Sequence, residues 1–303
     1  MDADLDTFAT ALYVTVDDKL KTHPELLRWR PEVGFASKLG DAELVTLAVL
    51  QALGGFTSEA RFIRRARRHL VPLFPYLPGQ SGYNKALRKA APLIGQLTRL
   101  LGIETAAFFD DVWLVDSTPV ECARSRPTVK ASNLAGYAAY GYCASHSRFF
   151  WGMRLHLVAT PAGLPVAFAL TDAKADEREV LLELLGTGLL EGRPGQLIIA
   201  DKGYTSREFE SFLTMHGATL LRPARKDEAP RAGARFLRPL RQVIESINDT
   251  LKGQLDLERH GGKSLAGVVV RVLQRLLALT AVIWHNERCG EAVLRSLVAY
   301  DHG

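Results

Sequence analysis

Cysteine is scarce in this chain, and its pattern excludes two classes of small scaffold. Among 303 residues there are three cysteines, Cys122, Cys143 and Cys289, and no two of them form a Cys-x-x-Cys pair. Disulfide frameworks and structural zinc sites need more cysteines at closer spacing. Residues 1–6 are acidic, whereas the start of a secretory signal peptide is basic. We therefore expect a protein of the reducing cytoplasm.

Several common catalytic motifs are also missing from the sequence. There is no Gly-rich phosphate loop, no Gly-x-Ser-x-Gly elbow and no metal-ligand spacing among the eight histidines. These absences argue against nucleotide-dependent, serine-hydrolase and histidine-metal chemistry. His156 is expected to be packed or exposed rather than catalytic.

A long uninterrupted apolar run is lacking as well. The most apolar long stretch, residues 265–284, contains Arg271, Gln274 and Arg275 near its middle. A membrane span rarely carries such residues at its centre. We predict a buried helix and no membrane association.

What is present is an ordinary globular composition with a basic excess. Hydrophobic residues make up 47% and charged residues 23%, which is enough apolar material for a buried core. The net charge is +5 and the isoelectric point is about 9.1. This charge favours a polyanionic partner. The length suits two domains better than one.

The first part of the chain is predicted to be an all-α domain, residues 1–105. Asp41 can begin a helix that ends before Gly54 and Gly55. Further helices are expected at 57–70 and 81–102, with a proline-rich connector between them.

An arginine cluster on the second of these helices predicts contact with DNA. Residues 59–99 contain nine basic residues and one acidic residue. A solvated helix face is the alternative, but five arginines within eight residues exceed what solubility requires. Gly54-Gly55-Phe56 could form the turn of a helix-turn-helix. The predicted phosphate-contacting residues are Arg61, Arg64, Arg65, Arg67 and Arg68.

After residue 102 the pattern changes to alternating strands and helices. Strands are predicted at 111–116, 152–160, 164–170, 196–201 and 218–221, and helices at 176–185, at 205–216 and after the basic linker 222–241. Ser117-Thr118-Pro119 is expected to end the first strand. The order predicts an α/β fold with a mixed five-stranded sheet and flanking helices. It resembles a ribonuclease H-like core, which implies that the first and fourth strands are neighbours.

That neighbourhood would bring two carboxylates together. Asp116 ends the first strand and Asp201 ends the fourth, so both would project from one edge of the sheet. Two like charges at close range are unfavourable unless a cation holds them. Oxygen ligands of this kind suit Mg²⁺ or Mn²⁺. Alternatively, Asp201 only caps the helix that begins near Thr205.

The helix after the basic linker is expected to supply a third acid. At about 100° per residue, Arg241, Glu245, Asn248 and Lys252 fall in one stripe beside the apolar face. Glu245 lies at the edge of the buried face, within reach of the two aspartates. An ordinary amphipathic helix with an Arg241–Glu245 pair is the alternative. The competing carboxylates are Asp110, Asp111, Asp172, Asp176, Asp249 and Asp256, of which Asp249 is the strongest rival to Glu245.

The chain resembles a DDE transposase of a bacterial insertion sequence. The resemblance is carried by the segments 115–119 (Val-Asp-Ser-Thr-Pro) and 200–204 (Ala-Asp-Lys-Gly-Tyr), and by Arg241-x3-Glu245-x6-Lys252. The last element is similar to the Tyr-x2-Arg-x3-Glu-x6-Lys signature of these enzymes, except that Arg238 stands in place of the tyrosine. Residues 74–84 also resemble the region ahead of the catalytic domain in one such family.

The resemblance implies a specific assignment of residues and partners. Asp116, Asp201 and Glu245 would be the three acids and the ligands of two Mg²⁺ or Mn²⁺ ions, with Lys202, Arg241 and Lys252 holding DNA phosphates. The catalytic domain would span 106–290, followed by a tail at 291–303. The partners would be double-stranded DNA, at the element ends and the target, and a second copy of the chain. The location would be the bacterial cytoplasm, at the nucleoid.

Two other functions remain open from the residues. One is a metal-dependent DNA nuclease on the same core that does not transfer strands. The other is a catalytically inactive, transposase-derived DNA-binding protein, against which the three acids weigh. Cutting followed by attack of the freed 3′-hydroxyl on target DNA is the favoured activity.

Overall fold

The computed structural model describes residues 3–30, 37–143, 147–226, 228–229 and 233–300. The chain divides into two compact units. One unit joins residues 1–104 to residues 251–303, and the other is the continuous segment 105–250.

The first unit is helical. Its described helices are α1 (Ala3–Thr22), α2 (Asp41–Leu53), α3 (Glu59–His69), α4 (Gln80–Lys89), α5 (Ala91–Ile103) and α10 (Leu265–Cys289). α2 is buried along nearly its whole length, and α10 packs on α5 and α2. Predicted helix 81–102 is two helices. Pro92 lies in the first turn of α5, where its missing N–H is harmless, but it prevents one continuous helix.

α10 has the length and hydropathy of a membrane-spanning helix, yet most of it is buried within this unit. Its polar residues have partners there. Arg271 forms an ion pair with Glu59, and Gln274 donates a hydrogen bond to the carbonyl of Ala48 at 2.6 Å. The prediction of a buried helix at 265–284 is confirmed by this packing.

α10 packs with the helices of the first unit. Residues 251–290 were expected in the catalytic domain, but they pack with the N-terminal helices. The described part of the expected tail, residues 291–300, also packs within this unit, because the buried Tyr300 donates a hydrogen bond from its hydroxyl to Asn286. Because α10 follows the sheet in the sequence, we expected it to pack on the sheet. It instead covers the apolar surface of α5 and α2.

The second unit is a mixed sheet with helices on it. The described elements are β1 (Val112–Ala123), α6 (Arg126–Lys130), β2 (Ala139–Cys143), β3 (Arg148–Ala159), β4 (Pro165–Asp172), α7 (Glu177–Gly186), β5 (Leu197–Ile199), α8 (Arg207–Met215), β6 (Thr219–Leu221) and α9 (Leu237–Asp249). The strand order is β2-β3-β1-β5-β6, with β4 also paired to β3. β1, β5 and β6 are parallel, and the remaining pairs are antiparallel. The predicted fold class is confirmed: the architecture is consistent with a ribonuclease H-like fold.

Two details of the sheet differ from expectation. β1 does not end at Ser117-Thr118-Pro119 but continues to Ala123, paired with β3. On its other side the described pairing with β5 stops at Leu114, so Pro119 lies on an edge, where a missing donor is tolerated. The sheet also has six strands in the described residues rather than five. The additional strand, β2, lies in a Gly- and Tyr-rich stretch with weak strand signals.

Candidate active site

Strand pairing sets the relation between the first two acids. β1 and β5 are parallel neighbours, with Leu114 opposite Ile199. Two residues further along, this register brings Asp116 level with Asp201. The predicted adjacency of the first strand and the strand that ends at Asp201 is therefore confirmed. Asp116 is nevertheless a residue within β1, not its last one.

Asp201 lies just beyond the end of β5 and is exposed. Its carboxylate accepts a hydrogen bond from the backbone N–H of Lys202 at 2.7 Å and caps the 3₁₀ turn Lys202–Tyr204. It does not cap α8, whose N-cap is Ser206. The capping alternative is thus correct for a short turn and wrong for the helix.

α9 reaches the same edge of the sheet from its packing position on β1. The amide of Asn248, a buried residue, donates a hydrogen bond to a carboxylate oxygen of Asp116 at 2.7 Å. Glu245 lies three residues earlier, so it shares this face of the helix. Asn248 was noted on the stripe of α9 but was not predicted as a site residue.

The three acids line one small cleft of about 70 Å³. The other lining residues that the structure describes are Leu114, Val115, Ile199, Ala200, Leu240, Arg241 and Ile244. Asp249 is not among them, although it lies on the same helix. The local geometry thus places Glu245, rather than its rival, beside Asp116 and Asp201.

The cleft has the donor chemistry of a magnesium or manganese site. Carboxylate oxygens are the hard ligands that these ions prefer. Within the described ranges, however, no group of three His, Cys, Asp or Glu side chains is arranged as a metal centre. The donor types fit a divalent ion, while their present spacing does not form a closed coordination shell.

A second polar network lies beside Asp116 along β1. Ser117 donates a hydrogen bond to Glu177 of α7 at 2.6 Å, and Arg154 of β3 donates one to Ser117 at 2.9 Å. Arg154 and Glu177 also form an ion pair. Because adjacent residues of a strand point to opposite faces, α9 holds Asp116 on one face and α7 holds Ser117 on the other. Sequence reasoning missed this network, since its members lie far apart along the chain.

Tyr204 closes the turn that follows Asp201. It is buried, and its hydroxyl has no hydrogen-bond partner in the described part of the chain. Burial, together with the charges of Glu177, Asp116 and Asp201, raises the pKa of Tyr204 well above its usual value. The tyrosine is therefore neutral and serves as a packed wall of the turn.

His156 lies on β3 opposite Ser117 and is buried. Its Nε2 lies 2.9 Å from the hydroxyl of Thr171. Burial lowers the pKa of His156 to about 4, with Glu177 opposing and Arg154 reinforcing that shift. The imidazole is neutral at ordinary pH, in line with the expectation that it is packed.

The predicted phosphate-binding cations take different positions. Arg241 lines the cleft, and Lys202 is exposed in the turn after Asp201. Lys252 lies in the π-helical turn Thr250–Gln254 that follows α9, and it belongs to the helical unit. Arg238, which stands in place of the signature tyrosine, is exposed on α9.

Several rival carboxylates have local structural roles. Asp110 accepts a hydrogen bond from the backbone N–H of Val112, at the start of β1. Asp176 caps α7, and its hydrogen bond with Arg178 lowers the pKa of Asp176 to about 2. Asp172 accepts a bond from the backbone of Lys174. The remaining rivals are placed as follows: Asp111 and Asp249 are exposed, and Asp256 adopts a left-handed backbone conformation in the helical unit.

The arginine cluster of the helical unit lies on α3. The buried face of this helix is formed by Phe62, Ile63 and Ala66. All five predicted arginines are exposed on its other faces: Arg61, Arg64, Arg65, Arg67 and Arg68. Gly55, in the turn before α3, has a φ of +64°, which favours glycine.

The fold is of the ribonuclease H-like class, and Asp116, Asp201 and Glu245 line one cleft of its sheet unit. Comparison with protein families narrows the class. The family model described as the transposase DDE domain matches residues 107–281, more than half of the chain. The protein belongs to this family, which confirms the resemblance seen in the sequence. A search of curated proteins and a search of solved structures each found no match.

Family membership gives the coarse function. The protein is a transposase-type enzyme of DNA recombination, and its partner is DNA. Enzymes of this family typically use divalent metal ions.

Proposed function

We propose that the protein cuts DNA at the ends of an insertion sequence and joins the freed 3′-hydroxyl ends to target DNA. Asp116, Asp201 and Glu245 are its three catalytic acids. The observation that carries this proposal is the cleft in which strand register and α9 gather these acids from positions 85 and 44 residues apart.

The three acids are proposed to hold two Mg²⁺ or Mn²⁺ ions. When bound, such ions activate the attacking oxygen and stabilise the leaving oxygen of an in-line displacement at phosphorus. No side-chain nucleophile is required, which agrees with the motifs missing from the sequence.

The chain's own residues then have distinct tasks. Asn248 fixes the orientation of the Asp116 carboxylate through its hydrogen bond, so that the other carboxylate lone pairs point along defined directions. Arg241 at the cleft wall and Lys202 beside Asp201 provide positive charge for the DNA phosphates. Lys252 is proposed for the same task from the turn after α9.

The exposed arginines of α3 are proposed to bind the DNA backbone of the element ends. Arginines placed on one short helix can contact successive phosphates, and such contacts supply affinity without sequence readout. Because two DNA ends must be joined, the active species is proposed to be at least a dimer on DNA. Its proposed location is the cytoplasm, at the nucleoid.

The test combines labelled end DNA with the protein and Mg²⁺ or Mn²⁺, and resolves nicked and joined products. Glu245→Gln and Asp201→Asn should each abolish both products. Asp249→Asn is the matched control on the same helix and should retain activity. Loss of activity in Asp249→Asn with retention in Glu245→Gln would reject the assignment of the third acid.

The nuclease alternative predicts a different product pattern. Wild-type protein would nick end DNA and release it without joined products at any concentration of target DNA. Unchanged nicking in Asp201→Asn would show that the proposed cleft is not the catalytic site.

A further inference from the structure

A second cleft of about 790 Å³ lies at the far end of β1, β2 and β3. Its lining includes Glu121, which is five residues beyond Asp116 on β1, about 16 Å along the strand. In the described part of the chain it shares no lining residue with the cleft that Asp116, Asp201 and Glu245 line. The site proposed above therefore does not account for it.

Aromatic side chains form one face of the sheet at this cleft. Tyr140 is paired with Trp151, and Tyr142 with Phe149, across β2 and β3. Because strand residues alternate between faces, all four project to the same side. Phe149 is 77% exposed, Tyr140 51% and Tyr142 48%. Trp151, in contrast, is buried, so three of the four rings are exposed.

The opposite face of this sheet end carries a small buried cluster. Gly141, Cys143 and Phe150 alternate with the exposed aromatics and are buried. Cys143 and Phe150 form a small cluster with Ala173. A Cβ on Gly141 would come within 2.8 Å of Phe150, so glycine is what allows this close packing. This cluster does not include the exposed rings of Tyr140 and Phe149, which line the cleft.

Arginines line the same cleft as Tyr140 and Phe149. Arg124, Arg126 and Arg148 all line the cleft. The carboxylate of Glu121 is nearly buried and pairs with Arg124 at 3.1 Å and with Arg148 at 3.2 Å. Arg126 is exposed at the start of α6. Three guanidinium groups against one carboxylate leave a net positive charge, and Glu121 restricts the positions of two of them.

We propose that this cleft binds unpaired nucleotides of DNA, with bases on Phe149 and Tyr140 and phosphates on the arginines. The inference rests on the proposed function, since it names a second part of the same DNA substrate. Exposed aromatic rings combined with a positive groove are the features by which proteins bind single strands. The bases of an intact duplex are stacked inside it, so these rings would gain little from double-stranded DNA. A second copy of this positively charged face is disfavoured as an occupant by charge repulsion.

The test measures binding without catalysis. The full chain is titrated into labelled oligothymidylate and into a duplex, in buffer with EDTA, and binding is followed by fluorescence anisotropy. Phe149→Ala and Tyr140→Ala should each weaken binding of the single strand about tenfold, as expected for the loss of one stacking contact. Binding of the duplex should change less than about twofold. Phe109→Ala is the matched control, because Phe109 is 61% exposed in the turn before β1.

Three outcomes would overturn the proposal. The first is an unchanged single-strand affinity in Phe149→Ala and Tyr140→Ala. The second is an equal loss for single-stranded and duplex DNA, which would make the cleft a general phosphate surface. The third is that Phe149→Ala or Tyr140→Ala changes the sedimentation coefficient of the DNA-free protein, relative to wild type, but leaves its DNA affinity unchanged. The aromatic face would then be a contact between copies of the chain. Failure of the proposed function shows separately, as absent cleavage of end DNA by wild-type protein with Mg²⁺ or Mn²⁺.

Discussion

The amide of Asn248 and the carboxylate of Asp116 are joined by a 2.7 Å hydrogen bond that spans 132 positions of the chain. The bond links the last turn of α9 to the middle of β1. It fixes which face of α9 meets the acids, and so it also determines that Glu245, one turn earlier, lines their cleft.

Asn248→Ala should lower the rate of strand cleavage about 10- to 100-fold, because the orientation of Asp116 would no longer be fixed. The loss of one buried hydrogen bond should lower the free energy of unfolding by about 1–2 kcal/mol. Single-turnover cleavage and urea unfolding measure the two effects. Gln242→Ala, an exposed change on the same helix, is the control and should alter neither.

The outcome that contradicts this role is a variant of Asn248 that is destabilised but cleaves at the wild-type rate under conditions where it is fully folded. Asn248 would then stabilise the packing of α9 without positioning Asp116.

Replacing Arg64 and Arg68 with alanine should weaken DNA binding and flatten its salt dependence. If both arginines contact phosphates, the slope of log K against log salt should fall by roughly two, about 0.9 for each contact. Filter binding over a range of potassium chloride concentrations measures this slope. The control replaces Arg88 and Arg99, exposed arginines on α4 and α5. Identical slopes for the two double variants would mean that α3 has no special role.

The buried His156 predicts a stability that declines in mild acid. Its pKa is about 4 in the fold and 6.5 for an ordinary histidine, so the unfolded chain binds the proton more readily. The stability that depends on neutral His156 is complete above pH 6.5 and is lost as the pH falls towards 4, to an extent on the order of 3 kcal/mol.

His156→Gln should flatten the stability profile between pH 6.5 and 4.5, because glutamine stays neutral and can still bond to Thr171. Chemical unfolding at several pH values gives the profile. His216→Gln, at the exposed end of α8, is the control and should leave the slope unchanged. A slope in His156→Gln as steep as that of the wild type would assign the acid sensitivity to other groups.

The buried ion pair between Arg271 and Glu59 should be required for the helical unit. Arg271→Ala leaves the Glu59 carboxylate buried without its charged partner, so the free energy of unfolding should fall by about 3–5 kcal/mol. Arg288→Ala, on the same helix as Arg271, removes the exposed ion pair with Glu104. It should lower the free energy of unfolding by less than about 1 kcal/mol. Urea unfolding, followed by far-UV circular dichroism, compares the two. Equal losses of unfolding free energy in the two variants would mean that the buried Arg271–Glu59 pair contributes no more to stability than the exposed pair.

Most strands of the sheet were predictable because their signals are local. The apolar run before Asp201 predicts a strand, and the order of strands predicts that this strand lies beside β1. The predicted end of β1 was wrong. A proline interrupts a strand that is paired on both sides, but at Pro119 the described pairing of β1 is with β3 alone. β2 was missed because glycine and tyrosine in a turn-rich stretch resemble a loop.

The parts that could not be predicted depend on contacts between distant segments. An asparagine such as Asn248 has no pattern that separates a surface amide from one bonded to an acid. The polar network of Ser117, Arg154 and Glu177 joins three elements with no common motif. The return of α10 to the helical unit depends on which apolar surface is left uncovered, and periodicity does not contain that information.

That return of α10 makes the sheet unit an insertion between two halves of the helical unit. During synthesis, residues 105–250 emerge as one uninterrupted segment, so the sheet can fold while α10 is still inside the ribosome. The helices at the start of the sequence must instead wait, with the apolar surface of α5 uncovered, until α10 has also been made. The sheet unit can therefore complete its packing while the helices that precede it still lack their partner α10.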